Sequence, residues 1–168
     1  MGYTEHKEAS DGRVVACAVV TVSDTRTEAT DKSGAYLRET LVANGHKVVH
    51  YEILKDEPDQ IQDCLDRLLG HDEPHAVIFT GGTGIAKRDT TFDIVSNALD
   101  KVLPGFGEIF RYLSYEEIGS GAIMSRATAG VAKNTIVFSI PGSRNAVGLA
   151  TEKLILKELS HLVWEIAR

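Results

Sequence analysis

Cysteine is nearly absent from this chain. Cys17 and Cys64 are its only two, and neither belongs to a CxxC pair or a Cys/His cluster, which argues against a zinc or disulfide framework. Such scarcity fits a reducing, cytoplasmic setting. Long apolar runs are missing as well. No stretch reaches the ~18 apolar residues of a membrane span, so no membrane association is expected. The opening MGYTEHKEASDGR lacks an apolar core, so no secretory signal is expected. Residues 1–12 read as a flexible tail ahead of one domain at 13–168. Positive charge is also short: 18 Lys and Arg against 24 Asp and Glu leave a formal charge of −6. General nucleic-acid binders are usually basic, so nucleic acid is not an expected partner. If this acidic chain binds an anion, it must gather its cations locally.

What is present alternates. VVACAVVTV (14–22), KVVHYEIL (47–54), HAVIFT (75–80) and NTIVFSI (134–140) are apolar, β-branched runs that predict buried strands. Between them lie helical patterns. GAYLRETLVANG ends on Gly45 as a stop, and PDQIQDCLDRLL puts Ile61, Cys64, Leu65 and Leu68 on one face behind Pro58. TFDIVSNALDKV (91–102) reads as a further helix, and residues 143–167 as one or two closing helices with more apolar positions than one stripe needs. Residues 104–133 break the rhythm and read as an insertion of mixed helix and loop. The expected fold is α/β, a three-layer α/β/α sandwich around a mostly parallel sheet.

Open sheets of this kind bind ligands beyond the carboxyl ends of their strands. The four exits read TVSD (21–24), LKDE (54–57), FTGGTG (79–84) and SIPGS (139–143), all small, polar or acidic. A single site collecting all four is the economical expectation. FTGGTGIAKRDTTFD (79–93) matches neither a dinucleotide fingerprint, since Lys87 stands where a third glycine belongs, nor a Walker loop. Its small residues still allow backbone N–H groups to face an anion, with charge from Lys87 and Arg88 and hydroxyls from Thr83 and Thr90. A tight turn with solvated charges is the plainer alternative. Asp89 fits either a helix N-cap or a Mg²⁺ ligand beside phosphates, and Asp56 at the neighbouring exit could share the ion. The six histidines fall outside the exits and read as surface or packing residues.

Five ordered segments, TVSDTRTEATDKSG, FTGGTGIAKRDTTFD, LPGFGEIFR, SGAIMSRATAG and SIPGSRNAV, resemble the B branch of the molybdenum cofactor biosynthesis proteins. That branch lies within the molybdopterin-binding family, beside the molybdopterin adenylyltransferases and the gephyrin G domain. The resemblance implies Mg²⁺ and ATP use, transfer of AMP to the terminal phosphate of molybdopterin, and release of pyrophosphate. It implies self-association as a trimer or hexamer, with other molybdenum-cofactor enzymes as possible partners. Carried over by position, the catalytic and metal-binding acids are Asp56 and Asp89. The nucleotide loop is Thr80, Gly81, Gly82, Thr83 and Gly84, joined by Ser23 and Asp24 and by the cations Lys87 and Arg88. Pro104, Gly105 and Glu108 match a rim loop. Ser125, Arg126, Pro141, Gly142 and Ser143 match the pterin-phosphate region, separate from the nucleotide loop. The segment IAKRD departs from the Pro- and Arg-containing version of the dedicated adenylyltransferases. A non-catalytic molybdopterin carrier or scaffold is therefore the alternative reading.

Overall fold

Strand β1, Ala16–Val22, is buried along its whole length, as its unbroken apolar run requires. It lies near the middle of a six-stranded sheet in the computed structural model, which describes residues 2–168. The other strands are β2 (Lys47–Leu54), β3 (Ala76–Thr80), β4 (Lys101–Val102), β5 (Thr128–Ala132) and β6 (Thr135–Ile140), and the order is β2-β1-β3-β6-β5-β4. The first four in that order are parallel, while β5 and β4 complete one edge antiparallel. β3 and β6 are buried throughout, whereas edge strand β2 alternates exposed and half-buried positions over its first four residues and stays half-buried from there to Leu54, which is buried.

Two apolar clusters sandwich the sheet, which makes the fold a three-layer α/β/α sandwich. Val15, Cys17 and Val19 face a core shared with α2 (Lys32–Ala43), α5 (Pro104–Ile118), α6 (Arg144–Ala150) and α7 (Leu156–Ile166). Ala18, Val20 and Val22 face the opposite core, closed by α3 (Pro58–Leu69) and α4 (Thr91–Ala98). On α3 the inward stripe is Ile61, Cys64, Leu65, Leu68 and Leu69, in keeping with its helical spacing.

Several expectations are corrected. The segment read as a flexible tail contains α1, Tyr3–Ser10, packed on α7. Tyr3 Oη and Lys7 Nζ both donate to Glu158 Oε1, at 2.6 and 2.5 Å. α1 thus lies against α7 through polar and aromatic side chains. The helix read over 91–102 stops at Ala98, and Lys101–Val102 pair with β5 instead. The region 104–133 holds the 15-residue α5, a 3-10 segment at Gly119–Met124 and β5. Among the described residues no helix is long and apolar enough to cross a membrane.

Candidate active site

The chain leaves β1 for β2 on one side and returns to β3 on the other, so the topological switch falls between β1 and β3. The glycine loop stands there. Gly81, at φ +95°, passes so close to β1 that a Cβ would lie 2.3 Å from the Val22 carbonyl oxygen. Gly82, at φ +63°, would place a Cβ 2.1 Å from Thr91 Oγ1 and 3.1 Å from Asp56 Oδ2. Both positions require glycine, for conformation and for space. The Gly81 N–H donates to the Ile140 carbonyl at 3.0 Å, and Gly142 packs on Gly81, so the β3 and β6 exits are joined.

Acids approach this loop from three exits. Asp56 Oδ1 accepts from the Thr90 hydroxyl at 3.3 Å, and the Asp56 N–H donates to Asp24 Oδ1 at 3.2 Å. Asp89 Oδ2 accepts from the Ala86 N–H at 3.0 Å. Partial burial, and then the fields of Asp89 and Asp24, push the Asp56 carboxyl above its ordinary range despite its bonds from Thr90. Asp24, Asp56 and Asp89 do not bring three oxygens within 4.8 Å of one another among the described residues. Mg²⁺ needs fewer, taking one or two carboxylates and leaving positions for water and phosphate oxygens. The Thr91 hydroxyl, buried beside Gly82 and Asp56 with no hydrogen-bond partner, is a further polar group turned to the same place. The sequence reading passed over Thr91 because it is indistinguishable from a helix-start threonine.

Asp89 is not a helix N-cap. Thr90 occupies the N-cap position of α4, and the Asp89 side chain closes the preceding turn instead.

The cations are arranged differently from expectation. Arg88 is paired with Asp24 Oδ2 at 2.5 Å across the cleft mouth, and Lys87 is exposed with no ion-pair partner among the described residues. Arg126 does not belong to a separate cluster. Its Nε donates to the Thr83 carbonyl at 3.0 Å, and its Nη2 to the carbonyls of Gly84 at 2.6 Å and Asp89 at 3.0 Å. Nη1 meets Asp93 at 3.0 Å, and the guanidinium lies over the Phe92 ring. Arg126 therefore holds the glycine loop from behind. Ser125, its half-buried neighbour, follows the 3-10 segment.

The remaining positions divide. Thr80 is fully buried and donates to the Thr21 hydroxyl at 3.4 Å, so it supports the loop from beneath rather than facing a ligand. Thr21 in turn donates to Asp31 at 2.6 Å, and Tyr51 to the same oxygen at 2.8 Å. Burial alone would raise the Asp31 carboxyl, but Thr21, the Gly34 N–H, Tyr51 and Arg26 together hold it below its ordinary range. Ser23 Oγ accepts from the N–H groups of Thr25 and Arg26 and shapes the β1 exit. Pro141, Gly142 and Ser143 lead β6 into α6, with Ser143 as N-cap. Arg26, which the sequence reading missed, donates twice to the Gly142 carbonyl at 3.1 Å and ties the β1 and β6 exits together. Its place two residues after TVSD was the available signal. Pro104, Gly105 and Glu108 form the first turns of α5. No hydrogen bond or ion pair among the described residues links Glu108 to the Asp56–Asp89 group.

A cavity of about 630 Å³ lies elsewhere, between α2 and edge strand β2.

Comparison with known proteins agrees with this geometry. The family model described as probable molybdopterin binding domain matches residues 18–161. Molybdenum cofactor biosynthesis protein B of Bacillus subtilis is 54% identical over 170 residues, covering 100% of this chain and 99% of that protein. A crystal structure of a molybdenum cofactor biosynthesis protein B superposes with a TM-score of 0.90 at 51% identity, over 93% of this chain and 98% of that one. The tungsten cofactor synthesizing protein MoaB from Pyrococcus furiosus superposes at 0.83 with 35% identity, over 93% and 99% of the two chains. A glycine loop at the switch point, acids from three exits and these likenesses along nearly the whole chain place the protein in the molybdopterin-binding domain family.

Proposed function

We propose that this chain acts in molybdenum cofactor biosynthesis, transferring AMP from Mg²⁺-ATP to the terminal phosphate of molybdopterin. The observation that carries the reading is the pair Asp56 and Asp89 facing a glycine loop that tolerates no side chain at Gly82. Two carboxylates would weaken simple binding of an anion, but they suit a site that also takes a cation. In the reaction, a phosphate oxygen of molybdopterin forms a bond to the α-phosphorus of ATP. The bond from that phosphorus to the bridging oxygen breaks, and pyrophosphate departs with the electron pair.

The residues have defined tasks in this scheme. Backbone N–H groups of the glycine loop orient the phosphates, and Lys87 adds positive charge from the rim. Asp56 and Asp89 would hold Mg²⁺, which supplies charge neutralisation of the triphosphate when bound. Arg126, Arg26 and Thr80 keep the loop and exits in place. Catalysis then rests on positioning and electrostatics, with no covalent intermediate on the protein. Pro104, Gly105 and Glu108 would border the cleft, and a cytoplasmic, self-associated protein fits the reading.

The test is incubation of the protein with ATP, Mg²⁺ and molybdopterin, followed by chromatography for adenylylated pterin and pyrophosphate. Turnover is expected, with Asp89→Asn slower by roughly 10²–10⁴, or ~3–5 kcal/mol. Tight molybdopterin binding without turnover would establish a carrier instead.

A further inference from the structure

Away from the cleft, two histidines and two glutamates meet where α1 packs on α7. His161 Nδ1 is 3.1 Å from Glu158 Oε2, which fixes the ring and leaves Nε2 pointing the other way. That Nε2 is buried without a hydrogen-bond partner and lies 3.6 Å from Glu165 Oε1. His6 Nδ1 reaches the same carboxylate oxygen at 2.5 Å. One ligand atom from each of His6, His161 and Glu165 lies within 4.8 Å of the other two. Trp164 lies beside both rings, with centroids 5.1 Å from His6 and 6.4 Å from His161.

A neutral His161 that donates from Nδ1 to Glu158 carries its lone pair on Nε2. That lone pair then faces a carboxylate oxygen, an unfavourable encounter unless a proton or a metal cation lies between them. A histidine whose second ring nitrogen donates to a carboxylate is also the usual support of a metal ligand, because the contact sets the tautomer and increases basicity. Glu165 can serve while keeping its existing partner. Arg168 Nη1 lies 3.1 Å from Oε2 and 3.3 Å from Oε1, and Oε1 is also the oxygen that faces the histidines.

We propose that His6, His161 and Glu165 form a binding site for a transition-metal dication of the zinc class, with Glu158 orienting His161. Two imidazoles and one carboxylate match zinc's preferences and leave a fourth position for water. The ion would staple the N-terminal helix to the C-terminal one. Its role is structural, and it stands apart from the adenylylation reading. A second grouping, His50, Glu52 and Cys64, is a poorer candidate. Burial pushes the Cys64 thiol up to about 11, and Glu52 is already engaged by Arg67 at 2.6 Å.

The experiment is a Zn²⁺ titration of the untagged full chain at pH 7.5 by calorimetry, with excess Mg²⁺ present to occupy the acidic cleft. One ion per chain is expected to bind, and Tm to rise by about 5 °C at a zinc concentration a hundred times Kd. His6→Gln, on the outer helix, and His161→Ala should each weaken binding by at least about 100-fold, and Glu158→Gln by about 10–100-fold. Co²⁺ in place of Zn²⁺ should give the visible bands of a tetrahedral nitrogen–oxygen site. Absence of saturable binding would overturn the proposal. So would equal binding by wild type and His6→Gln, or a thiolate charge-transfer band that places the ion at Cys64.

Discussion

At Asp56 the demands of the cleft and of folding oppose each other. Its carboxyl is pushed above the ordinary value of 3.8 by burial first and by Asp89 and Asp24 after that. Between 3.8 and the raised value the folded state holds the proton more tightly than the unfolded chain, so stability falls as pH rises through that window. At neutral pH the unfavourable charge is fully present. Asp56→Asn keeps an oxygen to accept from Thr90 and removes the charge. Its Tm at pH 7 should therefore exceed wild type by about 1–3 °C, a gain below ~1 kcal/mol because the group is partly solvated. The advantage should vanish when thermal melts are repeated below pH 3.8, where Asp56 is neutral in both states. A variant no more stable than wild type at pH 7 would mean that neither burial nor the neighbouring acids oppose the Asp56 charge.

At the scale of elements, the glycine loop and the segment carrying Arg126 form one unit. Three backbone carbonyls of the loop accept from a single guanidinium. Arg126→Ala should weaken ATP and molybdopterin together, each by about 1.5–3 kcal/mol, because losing these charge-assisted bonds loosens the loop that positions both. Calorimetry with each ligand in turn decides it, and a loss confined to molybdopterin would restore a direct pterin contact. The link was not legible in the sequence, since the partners are 37 to 43 positions apart and nothing local marks them. The four parallel strands were legible because each is an apolar, β-branched run. β4 and β5 were not. One is a two-residue Lys-Val pair and the other reads TAGVA, whose small side chains carry little strand signal. α1 escaped for another reason: it docks through Tyr3, His6 and Lys7, and polar anchoring leaves no apolar period to read. Asp31 carries no local signal of its role either, although it is 1% exposed at the centre of a hydrogen-bond network.

For the whole molecule, exposed apolar surface collects on α5 and the 3-10 segment after it. Ile109, Tyr112, Tyr115, Ile118, Ile123 and Met124 are all open to solvent, Ile123 by 83%. Phe106, Phe110 and Tyr112 are the aromatics in the first nine residues of α5. Only Tyr112 faces outward, since Phe110 is fully buried and Phe106 packs on Phe138 at 5.3 Å. An apolar patch of this kind is the expected mark of a protein–protein contact. Light scattering at micromolar concentration should report a particle of at least three chains, in line with the trimer or hexamer that the resemblance implies. The double change Tyr112→Asp with Ile118→Glu should shift the particle toward 18.3 kDa. A wild-type monomer would overturn this expectation.

The contact of α1 with α7 has a mechanical consequence. Tyr3 and Lys7 grip Glu158, His6 grips Glu165, and Arg168 caps the same glutamate, so the beginning and end of the chain lie side by side. Tension applied between the two ends would meet this polar pair first. The sheet would carry load only after that seam had opened, so the first event on stretching should be a small extension at low force.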